Sequence, residues 1–195
     1  MPDNLSTVCV YCAISVHVDQ YYYEEAAKLG RLLAEEKITT VYGGSSKGMM
    51  GALADSALNS GGEVIGIMPR NVKNFELDHK NLTETLFVES MHERKMKMVE
   101  RSGAFIVMPG GFGTLDETFE VLTWKQIGLH DKPIIIVNIN GYWDKLLDLI
   151  DHTIQNRFAL SENREMFKVV ENAEDVIPSL KKEPNTFFSP KTKWM

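Results

Sequence analysis

Residues Met108–Glu120 read MPGGFGTLDETFE and follow the apolar run Ala104–Val107 directly. A strand, a glycine-rich turn and the first turn of a helix share that stretch. Its residue types fit phosphate binding. Gly110, Gly111 and Gly113 permit close approach of the backbone to a ligand and permit positive φ. The unpaired N–H groups at the start of the following helix form an anion site. Thr114 and Glu117, three apart, satisfy a capping box and mark the helix start, and in that role Glu117 needs no catalytic function. Against this, Asp116 and Glu117 put two acids where the turn is arranged to receive an anion. A ligand with a phosphate at one end and a developing cation nearby reconciles both features. A nucleoside monophosphate losing its base through an oxocarbenium-like state fits that description.

A second stretch, Met91–Met98 (MHERKMKM), opens a helix after another apolar run. Arg94 offers a planar fork of donors suited to phosphate or to a paired carboxylate. Lys95 and Lys97 also read as a solvated basic face, and Met91 and Met98 as core packing. Other chemistries fail on spacing. Gly43 and Gly48 have the separation of a Walker A loop, but Met49 stands where its lysine belongs. Asp116 replaces the third glycine of a dinucleotide fingerprint. His92–Glu93 begins like a zinc-protease helix, yet position 96 is methionine. The five histidines show no ligand spacing, so no metal is expected. Cys9 and Cys12 form C-x-x-C on a strand, where side chains three apart face opposite sides, so both read as buried reduced thiols.

The elements that must position these groups alternate along the chain, which predicts a doubly wound α/β fold, a parallel sheet with helices on both faces. Strands are expected near Thr7–Cys12, Thr39–Tyr42, Val64–Ile67, Thr85–Val88, Phe105–Met108, Ile134–Asn138 and Phe167–Val170. Helices are expected near Asp19–Glu36, Gly48–Ser60, His92–Arg101, Thr114–Ile127, Tyr142–Arg157 and Ala173–Lys182. Ligands bind at the carboxyl ends of such strands, where the turns Tyr42–Gly51 and Pro109–Thr114 and the junction Tyr11–Ser15 converge. Residues 1–184 read as one domain. Residues 185–195 read as a tail within a polar stretch that begins at Lys181.

With 195 residues, 44% hydrophobic content and 25% charge, the chain can build a sizeable core. A net charge of −6 argues against general nucleic-acid binding. Neither a membrane-length apolar run nor a signal-peptide pattern is present, so a cytoplasmic location is expected.

Taken together, these motifs resemble the LOG ("Lonely Guy") phosphoribohydrolases, often mislabelled as lysine decarboxylases. Pro109–Glu117 meets the family signature P-G-G-x-G-T-x-x-E in full, and Met91–Lys95 the motif M-H-x-R-K. Val41–Gly44 with Gly48–Gly51 resembles Y-G-G-G-x-x-G-L-M-G. Val64–Pro69, Leu82–Glu84, Thr123–Gly128 and His130-x-Lys132–Pro133 match further blocks, so the similarity runs from Val8 to beyond Tyr142. The resemblance implies hydrolysis of N6-substituted adenosine monophosphates, with AMP often cleaved too, to a free base and ribose 5-phosphate. It implies Arg94 and Glu117 as the catalytic pair. Gly43, Gly44, Met91, Lys95, Pro109, Gly110, Gly111, Gly113 and Thr114 would contact substrate. No cofactor is implied; the partners are the nucleotide and further copies of the chain, at least a homodimer.

Two departures touch the site. Cys12–Ala13–Ile14–Ser15 stands where the family has C-G-S-S, and Ser45 where it has a third glycine. Both spare Arg94 and Glu117 and bear on base preference. Two other classes of function share some of these features. A nucleotide or cofactor carrier, of the molybdenum-cofactor-carrier type, would use a similar turn without hydrolysis. Lysine decarboxylation would need a Schiff-base lysine for pyridoxal phosphate, for which no pattern stands out.

Overall fold

A computed structural model of the chain describes residues 5–70 and 78–182. Seven parallel strands form one sheet: β1 (Thr7–Tyr11), β2 (Thr39–Tyr42), β3 (Val64–Pro69), β4 (Glu84–Val88), β5 (Ala104–Val107), β6 (Ile134–Val137) and β7 (Lys168–Val170). Their order is β4-β3-β2-β1-β5-β6-β7. The chain winds outward from β1 to β4, crosses back, and winds outward again from β5. This is the doubly wound arrangement, and its switch point lies between β1 and β5, where adjoining loops diverge and leave a crevice.

β5 and β6 are apolar at every position, and β1 is so from Val8 to Val10, because helices cover both faces. Val8, Val10, Ala104 and Ile106 face α1 (Gln20–Glu35), α2 (Gly48–Asn59) and α6 (Val176–Lys182). Cys9, Tyr11, Phe105 and Val107 face α3 (Met91–Glu100), α4 (Phe112–Gln126) and α5 (Asp144–Gln155). The register sets Cys9 beside Val41 on one side and Phe105 on the other. Cys9 and Cys12 thus enter separate cores as free buried thiols, and burial pushes both well up from the ordinary thiol range.

All seven expected strands are present, with ends shifted by at most two residues. The helices differ at their starts. α4 begins at Phe112, two residues before the expected Thr114. α5 begins at Asp144 because Asn140 and Gly141, at φ 51° and 71°, turn the chain sharply first. A 3-10 turn at Ala173–Asp175 precedes α6. The polar stretch expected from Lys181 starts inside a helix, since Lys181 and Lys182 end α6 and Lys181 pairs with Glu36. The proposed tail, 185–195, lies outside the described residues. Among the described residues no helix is long and apolar enough to cross a membrane.

The opposite, amino-terminal edge of the sheet carries another family-like block. There His130 bonds the Val121 carbonyl, and Lys132 bonds the Val99 carbonyl near the end of α3. Burial, partly offset by the bond to Val121, pushes the His130 imidazole down to about 4, so the ring is neutral. These groups close helix ends and stand apart from the crevice.

Candidate functional site

A cleft of 260 Å³ opens at the switch point. Cys12 to Ser15 after β1 form one wall, and Gly111 to Thr114 at the start of α4 form the facing wall. Arg94 from α3, Glu117 from α4 and Met50 from α2 complete the lining. The β1 loop is held between its neighbours: Ala13 N donates to the Pro109 carbonyl at 3.1 Å, and Met50 N to the Ala13 carbonyl at 3.3 Å. Groups separated by about a hundred residues in sequence are thereby fixed together.

At the floor, Arg94 Nη1 donates to Glu117 Oε1 at 2.8 Å. Arg94 is 8% exposed and Glu117 5%. A buried guanidinium needs each of its donors engaged, and Arg94 Nε finds the Ile67 carbonyl at 3.0 Å. Burial pushes the Glu117 carboxyl above its ordinary range; Arg94 opposes that shift without cancelling it. The floor therefore joins a carboxylate raised towards neutrality to a fixed cation, open to a small ligand.

α3 presents Arg94 inward because Ser90 caps it. The Ser90 hydroxyl accepts from Glu93 N at 3.1 Å, while Glu93 reaches back to Glu89 N at 2.8 Å. That Ser-x-x-Glu pair caps α3 through the Ser90 hydroxyl, with Glu93 reaching one residue past the N-cap, and is the nearest counterpart here to the capping expected of Thr114–Glu117. The latter expectation is overturned. The α4 N-cap is Gly111, with no side-chain cap, and the Glu117 carboxylate goes to Arg94. The two acids also separate. Asp116 turns outward to Lys95 at 3.0 Å, so only Glu117 enters the cleft.

The glycines of the α4 turn, Gly110, Gly111 and Gly113, permit positive φ without using it. Gly111 lies at φ −95°, ψ −152°, an ordinary extended conformation. What Gly111 and Gly113 leave is room: a Cβ on either would meet no atom within 4 Å among the described residues. A Cβ on Gly110 would run into the Thr114 side chain. The first N–H groups of α4 have no intrahelical acceptor, and they front this open space.

The remaining expected site residues take other positions. Gly43 lies behind the floor, where a Cβ would strike Arg94 Nη2 and the Met50 thioether. Gly44 holds φ at 83° against Met68, and its carbonyl accepts from His79 N. Pro109 and Gly110 supply carbonyls to Ala13 N and to the Tyr142 hydroxyl. Lys95 is buried between Asp116 and Glu120, and Met91 is half exposed. None of these six lines the cleft. Residues that the sequence places in family-like stretches without a role of their own also contribute. Met50 lines the wall, the Ile67 carbonyl anchors Arg94, and Tyr142 bonds the glycine turn. A family-like stretch marks such residues, but their main-chain and packing roles are visible only in the fold.

With this geometry in view, the chain can be set beside known proteins. Residues 50–180 match the family model described as "Possible lysine decarboxylase". A probable cytokinin riboside 5′-monophosphate phosphoribohydrolase of Oryza sativa subsp. japonica is 39% identical over 173 residues, covering 89% of this chain and 76% of that protein. A cytokinin riboside 5′-monophosphate phosphoribohydrolase of Arabidopsis thaliana is 36% identical over 189 residues, 96% of this chain and 83% of its own length. Among solved structures, the molybdenum cofactor carrier protein from Chlamydomonas reinhardtii superposes with a TM-score of 0.67 at 16% identity, covering 92% of this chain and 98% of that one. The molybdenum cofactor binding protein from Rippkaea orientalis gives 0.65 at 20% identity, with 90% and 93% covered. At such identity these two structures share the fold, which carries no statement about activity.

Proposed function

The chain belongs to the LOG family of phosphoribohydrolases, and we propose that it hydrolyses the N-glycosidic bond of adenosine 5′-monophosphates, N6-substituted ones included. The observation that carries this reading is the buried Arg94–Glu117 pair, set in the same cleft as the open amides of the α4 turn. The 5′-phosphate sits on the N–H groups of Gly111, Gly113 and Thr114 and on the Thr114 hydroxyl. The C1′–N9 bond then breaks, its electron pair leaving with the base, and positive charge grows on the ribose. Glu117 faces that charge as a carboxylate, and Arg94 holds the substrate and the carboxylate in register. Water supplies hydroxide to C1′ and a proton to the base, giving ribose 5-phosphate and free base. Gly43 and Gly44 support this floor from behind, as do Pro109 and Gly110 for the turn; Lys95 and Met91 border it on α3.

Decarboxylation through pyridoxal phosphate fits these residues poorly, because among the described residues no lysine lines the cleft. On the same family reading the enzyme acts as a homodimer or larger homo-oligomer in the cytoplasm. Phe112, at the cleft mouth and 92% exposed, supports cover by a second copy.

The deciding assay incubates wild type and Glu117→Gln with AMP or N6-isopentenyl-AMP and detects base and ribose 5-phosphate by mass spectrometry. Wild type releases both products, and the variant loses about 10²- to 10³-fold in kcat, the scale for removing one electrostatic group. Activity of the wild type falls as pH drops through the raised Glu117 pKa, because protonation removes the charge that faces the ribosyl cation. Its acid limb therefore lies above the ordinary carboxylate range, and Glu117→Gln lacks that limb. Stoichiometric binding by wild type with no product would sink the hydrolase reading and leave a carrier.

A further inference from the structure

We propose that Tyr142 is a positioning residue for the phosphate: its hydroxyl fixes the Gly110–Gly111 peptide so that the Gly111 N–H faces the cleft. This rests on the reading that the α4 turn receives the substrate's phosphate.

Tyr142 Oη donates to the Gly110 carbonyl at 2.7 Å. A trans peptide is planar, with its C=O and the following N–H pointing in opposite directions. Drawing the Gly110 carbonyl towards Tyr142 therefore turns the Gly111 N–H the other way, towards the wall that Gly111 contributes to the cleft. The peptide concerned joins two glycines, whose backbone is the least restricted of any residue, so sterics alone do not hold its plane. Nor does packing at residue 111, where a Cβ would find nothing within 4 Å among the described residues. Gly110 sits against the Thr114 side chain, which limits its position, and the Tyr142 hydroxyl is the side-chain donor that fixes the direction of its carbonyl.

Tyr142 is itself held firmly. Its ring meets Trp143 edge-on at 4.8 Å and Tyr22 of α1 at 5.9 Å. Trp143 N donates to Asn138 Oδ1 at 2.7 Å, and Asn138 Nδ2 to Asp144 Oδ1 at 2.8 Å, which closes the left-handed turn at Asn140–Gly141 around the end of β6. Burial pushes the Tyr142 phenol up, so it stays a donor throughout the neutral range. The β6–α5 connection thus buttresses an amide it never places in the cleft itself.

The test compares full-length wild type with Tyr142→Phe, which keeps the ring and removes the hydroxyl. Titration calorimetry measures inorganic phosphate, AMP and adenosine, and steady-state kinetics measure AMP cleavage. Loss of one neutral hydrogen bond predicts dissociation constants for phosphate and AMP, and KM, weaker by about 3- to 10-fold. Adenosine affinity is unchanged, and kcat stays within about twofold, because Arg94 and Glu117 are untouched. Equal weakening of adenosine and AMP would mean general loosening and overturns the proposal, as does an unchanged affinity for phosphate and AMP. Wild type that binds AMP without cleaving it removes the hydrolase reading, while the ratio of dissociation constants still decides this one. Wild type that binds neither phosphate nor AMP overturns this one as well.

Discussion

In the turn after β2, glycines are crowded: a methyl group on Gly43 would strike Arg94 and Met50, and Gly48 holds φ at 60° with the Ile14 backbone pressed against it. In the turn after β5, Gly111 and Gly113 carry ordinary dihedrals and face empty space. The two segments look alike as sequence, since each is a glycine-rich junction between a buried strand and a helix. The first needs glycine because protein fills the volume where a side chain would go. The second, crowded only at Gly110 where Thr114 stands, needs it at Gly111 and Gly113 because that volume is kept for something else. A glycine with nothing near its missing Cβ, at the mouth of a cleft, marks ligand space, whereas a crowded one marks how the cleft is built.

Substitutions by alanine sharpen or break that contrast. The largest effect is expected at Gly43→Ala, where the added methyl displaces the Arg94 guanidinium from Glu117. A misplacement of about 1 Å near the reacting atoms costs on the order of 10²-fold in rate, read as kcat for AMP cleavage. An active Gly43→Ala enzyme would mean that the seat of Arg94 is soft. Gly48→Ala comes next, with a loss of about 1–3 kcal/mol in unfolding free energy from a left-handed backbone that also meets Ile14, measured by urea denaturation. Gly111→Ala is mildest for the fold, with stability within about 0.5 kcal/mol of wild type, as for a surface change that meets no neighbour. Its effect falls on AMP affinity, which weakens several-fold in titration. A Gly111→Ala protein that unfolds easily while binding AMP normally would reverse the assignment of the two turns.

The strands were legible in the sequence for a simple reason. A parallel strand covered on both faces is apolar at every position, as in Ile134–Val137, and turn residues bracket it. Helix ends were less so. The spacing Thr114-x-x-Glu117 matches a capping box, yet the Glu117 partner is an arginine 23 positions earlier, and no local window contains both. The true cap, Ser90-x-x-Glu93, carries the same pattern and sits beside the same arginine. Arg94 and Glu117 were singled out by residue type and family pattern, but their direct contact was not legible. Nor was the outward turn of Asp116, which depends on Lys95 standing one residue beyond Arg94 on a helix from the other half of the sheet.

Arg94 and Glu117 also belong to opposite windings of the chain. α3 follows β4, at the far edge of the first half, and α4 follows β5, the first strand of the second. Their ion pair is a clasp across the seam where the winding of the chain reverses, and the mouth of the cleft is that same seam. Any twist of one half against the other stretches the clasp and reshapes the mouth at once. A ligand seated in the cleft touches Met50 and Arg94 from the first winding and Gly111 to Thr114 and Glu117 from the second, and so adds a further tie between the two halves.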